Sequence, residues 1–88
     1  MYIMRSLRTK ATSASEEDIE IIYNLIFKDA LYSLECIRVG GNEEEQNDYC
    51  LAENITDDET EAEVFLKHLS KGIAFPVHIK DLVDDYFN

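Results

Sequence analysis

Between Ile19 and Val39 the apolar positions change parity once. Ile19, Ile21, Tyr23, Leu25 and Phe27 hold the odd positions, then Ala30, Tyr32, Leu34 and Cys36 the even ones. Such alternation, rich in β-branched and aromatic side chains, marks a half-buried strand, because a helix would space its apolar residues three and four apart. The parity flip predicts a hairpin. A two-residue turn at Lys28 and Asp29 would pair Phe27 with Ala30, Leu25 with Tyr32, Tyr23 with Leu34 and Ile21 with Cys36. Opposed residues share a face, so both apolar sets would meet in one interior. The block does not spell a membrane helix, which needs about 18 uninterrupted apolar residues. Glu20, Asn24, Lys28, Asp29, Ser33, Glu35 and Arg38 interrupt it.

The other face of this hairpin carries Ile22, Ile26, Leu31, Ile37 and Val39 among Glu20, Asn24, Ser33 and Glu35. A sheet with one face in water should be more polar on that side. These five apolar residues therefore form a candidate interaction surface, covered either by the N-terminal "MYIM" segment or, on the favoured reading, by a second copy of the chain.

After the glycine-rich, acidic "GGNEEEQND", the segment "YCLAENI" reads as a third strand. The period then changes from 2 to 3.6 residues. Thr56 and Glu59 fit a capping box, with Asp57 and Asp58 adding negative charge where a helix dipole favours it. The predicted helix buries Ala62, Phe65, Leu66 and Leu69 and ends at Gly72 as a left-handed cap. Beyond Pro76 a second helix presents Ile79, Leu82, Val83, Tyr86 and Phe87 as one apolar stripe. Residues 1–18 read as a flexible N-terminal tail in which Tyr2, Ile3, Met4 and Leu7 have the makings of a short strand. Residues 19–88 read as a single small domain. The expected fold class is α+β: a three-stranded antiparallel meander followed by two C-terminal helices packed on one face, in the order β-β-β-α-α.

Charge sharpens this picture. The 88 residues carry a net charge of −11, yet Arg5, Arg8 and Lys10 are the only charges among the first fifteen, and all 19 acidic residues lie from Glu16 onward. A surface of that sign repels phosphate backbones and anionic lipid headgroups, so neither nucleic acid nor a membrane is expected as a partner. The N-terminus lacks the apolar run of a secretory leader, and the two cysteines make no spaced framework, which together point to reduced thiols and a cytoplasmic protein.

Candidate chemistry is sparse. The sequence contains no phosphate-binding glycine loop, nucleophile elbow, HExxH or CxxC. Cys36, Cys50, His68 and His78 form the one soft-ligand set, but thirteen residues separate the cysteines and nine the histidines, unlike any zinc pattern. Cys36 is expected to fill core. A Cys-His nucleophile would need a thiolate, which an apolar face suppresses. Asp81, Asp84 and Asp85 read as a solvated helix face, since two carboxylates without further oxygens hold a divalent cation weakly. No catalytic residue, cofactor or metal is implied, and an enzyme is not expected.

The C-terminal half, "NITDDETEAEVFLKHLSKGIAFPVHIKDLVDDYF", resembles the ending of a family of small uncharacterised bacterial proteins. The likeness spans roughly residues 31–87 and is most specific at Pro76, Val77, His78, Ile79, Asp81, Leu82, Val83, Asp85 and Phe87. It implies strands before helices and a bacterial cytoplasmic origin, and it supplies no catalytic residue. The functional expectation is a non-enzymatic protein-interaction module that self-associates. The alternative is an acidic regulator or nucleic-acid mimic that occupies a basic site on another protein.

Overall fold

The computed structural model describes residues 2–12, 18–41, 44 and 48–87. Four strands, β1 (Tyr2–Thr12), β2 (Asp18–Lys28), β3 (Leu31–Arg38) and β4 (Tyr49–Thr56), form one antiparallel sheet in chain order. Helix α1 (Glu59–Gly72), a 3-10 turn (Pro76–His78) and helix α2 (Ile79–Phe87) follow and cover one sheet face. The α+β class, with strands first and two C-terminal helices, is as expected. The strand count is not: there are four strands rather than three.

The additional strand is β1, formed where a flexible tail was expected. It pairs along its length with β2, from Tyr2 opposite Phe27 to Thr12 opposite Asp18. Its apolar pattern is obscured by a bulge between Ile3 and Arg5. The extra residue, Met4, breaks the alternation, so Ile3 projects from the uncovered face while Met4 and Leu7 pack on the core. Two of the basic residues of this strand have ion-pair partners. Arg5 reaches Glu63 of α1 at 3.1 Å, and Arg8 reaches Glu20 of β2 at 3.0 Å. Thr9 adds a third tie, its hydroxyl lying 2.7 Å from that of Ser70 on α1.

The β2–β3 hairpin exists, but its turn is Asp29-Ala30 rather than Lys28-Asp29. Lys28 faces Leu31, Phe27 faces Tyr32, Leu25 faces Leu34 and Tyr23 faces Cys36, a displacement of two residues from the expected pairing. An even shift preserves the faces, which is why the parity argument survives it. Both turn residues have positive φ, 53° at Asp29 and 65° at Ala30, as the mirror-image hairpin turns demand. Ala30 has no special aptitude for that conformation, so strand twist and packing impose it.

The core gathers Ile21, Tyr23 and Leu25 from β2, Tyr32, Leu34 and Cys36 from β3, Cys50 and Ala52 from β4, and Ala62, Phe65, Leu66 and Leu69 from α1. All four predicted helix positions are buried. Fully burying a Leu or Phe is worth about 1.5–3 kcal/mol, so this face is what holds α1 to the sheet.

The helix ends differ from the expectation by one or two residues. The N-cap is Asp58, whose carboxylate accepts from the Glu61 N–H at 3.0 Å, while the Thr56 hydroxyl accepts from the Asp58 N–H at 3.1 Å one turn earlier. At the other end the left-handed residue is Ile73, with φ 53° and ψ 56°, and not Gly72. The N–H groups of Ile73 and Ala74 reach back to the Ser70 and Leu69 carbonyls, the Schellman pattern.

Candidate functional site

Two surfaces concentrate unusual features. The first is the sheet face that the helices leave uncovered. Across it runs a chain of side-chain hydrogen bonds with one residue from every strand. The Ser6 hydroxyl donates to Asn24 Oδ1 at 2.6 Å, Asn24 Nδ2 donates to Glu35 Oε1 at 2.9 Å, and the Tyr49 hydroxyl donates to Glu35 Oε2 at 2.7 Å. Asn24 is only 6% exposed although, among the described residues, no second layer lies over it. The neighbouring strands and their long side chains shield it, and its amide is satisfied in place.

The predicted interaction residues flank this chain. Ile22 and Ile37 face each other on one side of it, both half-buried. Ile26 and Ser33 face each other on the other side, both buried, with Leu31 half-buried beyond them. Val39 lies just past β3, exposed, its N–H bonded to the Glu20 carbonyl. The structure thus places Ile22, Ile26, Leu31 and Ile37 on one surface, with Ile3 and Leu51 joining them. Ile26, already 5% exposed, offers little area to a partner. Charge on this face is nearly balanced, Arg8, Lys10 and Lys28 standing against Asp18, Glu20, Glu35 and Glu53.

The second surface is a groove of about 630 Å³ between the C-terminal end of α1 and α2. Phe65 and Leu69 form its floor, Ala74 and Phe75 one wall, and Leu82 and Tyr86 the other. Aromatic packing shapes it: the Phe65 and Tyr86 rings lie 5.0 Å apart and His68 meets Tyr86 edge-on at 6.2 Å. The predicted stripe of α2 is divided by this arrangement. Ile79 is buried and Val83 and Phe87 pack on the core, whereas Leu82 and Tyr86 remain 37% and 42% exposed on the groove wall. At the mouth, Gly72 sits inside the helix and Ile73 takes the left-handed conformation, so each occupies the position better suited to the other. Glycine in a helix costs about 1 kcal/mol, and a left-handed L-residue about 1–2 kcal/mol.

The remaining candidates do not converge on one site in this arrangement. Cys36 and Cys50 are directly opposed on β3 and β4, both buried free thiols. Burial, aided by the neighbouring Cys50, pushes the Cys36 thiol up to about 12. Burial also raises Cys50 against the opposing pull of Lys80. Neither suits a nucleophile at neutral pH. His68 and His78 line the groove, on the far side of Ala74, whose carbonyl accepts the Tyr23 hydroxyl at 2.6 Å. The acidic trio is dispersed: Asp85 lines the groove, Asp84 faces β4 and Asp81 is exposed. Among the described residues, no three His, Cys, Asp or Glu side chains converge as metal ligands, and no helix is long and apolar enough to cross a membrane.

Sequence reasoning missed the polar chain and the groove. Asn24, Ser33 and Glu35 were visible as polar interruptions of an apolar face, but Ser6 and Tyr49 join them only through strand pairing. Leu82 and Tyr86 look like core residues in any periodicity argument.

No curated protein and no solved structure matches the chain significantly. The sequence profile of a family of unknown function, DUF6514, matches residues 4–88, from within β1 to the C-terminus. The match takes in the sheet, both helices and the motif Pro76 to Phe87, and the chain belongs to this family.

Proposed function

We propose that the chain is a non-enzymatic interaction module that self-associates through its uncovered sheet face. What carries the reading is that Ile22 and Ile37, with Leu31, Leu51 and Ile3 around them, lie on a face to which the chain's own helices contribute nothing. A second copy fits better than an unlike partner on two grounds. The face carries three basic and four acidic residues within a chain of net charge −11, so two such faces meet with far less repulsion than the rest of the surface would impose. Its backbone footprint, from four strands at ordinary strand spacing, is roughly 600 Å², close to the ~800 Å² per partner of a standard interface. The Ser6–Asn24–Glu35–Tyr49 chain is already satisfied internally and would enter the interface without orphaned donors.

Sedimentation equilibrium at micromolar concentration tests the reading. The expected species is a dimer, converted to monomer by Ile22→Lys and by Ile37→Glu with unchanged far-UV circular dichroism. A monomeric parent chain, or a dimer indifferent to both substitutions, rejects it.

A further inference from the structure

The α1–α2 groove departs from local backbone preference at its mouth. A Cβ added at Gly72 meets nothing within 4 Å and the residue is helical, so a side chain there would be accommodated. Ile73 beside it holds the conformation that glycine is suited to. The arrangement keeps an opening at the expense of a better helix end, and such violations concentrate at functional sites. Behind the opening, Phe65, Phe75 and Tyr86 present aromatic surface within a volume typical of small-ligand sites.

The electrostatics select a sign. Asp85 is the carboxylate among the described lining residues, which also include the imidazoles of His68 and His78 but no Lys or Arg. The net charge of −11 raises the local concentration of cations. Aromatic faces attract cations as well. We propose that this groove binds a small organic cation, an alkyl- or aryl-ammonium compound. Its apolar body lies against Phe65, Phe75 and Tyr86, and its charged end meets Asp85. The site is independent of the sheet face and of any self-association through it.

The test is a titration of the isotopically labelled full chain with 2-phenylethylammonium, followed by amide chemical shifts, with 3-phenylpropionate as the carboxylate counterpart. Saturable shifts are expected at His68, Ile73, Ala74, Leu82 and Tyr86, with the carboxylate binding about tenfold more weakly or worse. Gly72→Leu should abolish the response while leaving the thermal midpoint unchanged or higher, because leucine suits a helix better than glycine. Asp85→Lys, an exposed substitution, should reverse the preference toward phenylpropionate. Equal binding of both compounds, shifts dispersed over the sheet, or undiminished binding to folded Gly72→Leu would each overturn the proposal. Response to a basic amphipathic peptide alone, with none to the amine, would make the groove a helix-docking surface and overturn it equally.

Discussion

Asn24 Nδ2 donates to Glu35 Oε1 at 2.9 Å, joining β2 to β3 on the side of the sheet that the helices do not cover. The same carboxylate accepts the Tyr49 hydroxyl, so Glu35 is the hub on which two donors depend. Removing this acceptor takes away the partner of the buried Asn24 amide, and a buried orphan costs about 1–3 kcal/mol. Glu35→Ala should therefore lower unfolding free energy by roughly 2 kcal/mol, and Glu35→Gln by less because the amide oxygen still accepts one bond. Urea unfolding of the three proteins measures this, and equal stability of Glu35→Ala and the parent would mean that the chain of bonds contributes nothing.

The hairpin turn offers a prediction of opposite sign. Ala30 holds φ at 65°, a region that glycine enters without a Cβ clash. Ala30→Gly should raise stability by about 1 kcal/mol despite the greater freedom of the unfolded chain. A lower thermal midpoint would show that the turn relaxes away from this geometry.

Ile73 makes the parallel case at the end of α1. Ile73→Gly should stabilise the helix end by about 1 kcal/mol, the relief of left-handed strain exceeding the loss of a side chain that is 36% exposed. Differential scanning calorimetry against the parent decides it, and a decrease would show that the isoleucine side chain contributes more packing than its conformation costs.

Alkaline pH should weaken the fold. In the folded chain the Cys36 thiol is pushed up to about 12 from 9.0 by burial, aided by the neighbouring Cys50. Above about pH 9 the unfolded thiol ionises while the folded one keeps its proton, so the folded state binds more protons and stability falls as pH rises. The contribution is fully present below about pH 9 and declines by about 1.4 kcal/mol per pH unit toward pH 12. Tyr23 is raised as well, chiefly by its burial, and extends the effect to higher pH. Denaturant midpoints under reducing conditions at pH 8, 9 and 10 should fall progressively, and Cys36→Ala should flatten the decline.

The legible parts of this fold are those where both sides of an alternation differ in polarity. The inner rows of β2 and β3 could be read because every second residue is apolar, and α1 because Ala62, Phe65, Leu66 and Leu69 share a helical face. β1 was hidden because it is an edge strand, packed on the core mainly through Met4 and Leu7, with a bulge that spoils its parity. The turn was misplaced by one residue because neither Lys28-Asp29 nor Asp29-Ala30 contains the glycine that usually marks one. The caps shifted for a related reason: Asp57, Asp58 and Thr56 are all competent to cap, and Gly72 attracts a C-cap assignment that the structure gives to Ile73. The interaction face was readable in its apolar members and not in its polar chain, whose Ser6 and Tyr49 lie far from Asn24 and Glu35 in sequence. The groove was unreadable because it is a space between elements, and periodicity says nothing about gaps.

Among the described residues the sheet ends on one side at β1, an eleven-residue strand with one edge unpaired. A margin of that length would ordinarily template the addition of further chains, one ribbon after another. Here Arg5 is tied to Glu63 on the helix face, Arg8 and Lys10 lie on the opposite face, and the Met4 bulge bends the strand. Two such margins laid side by side would meet along a crooked seam. Lateral growth across this edge is thus discouraged by the shape of the strand itself.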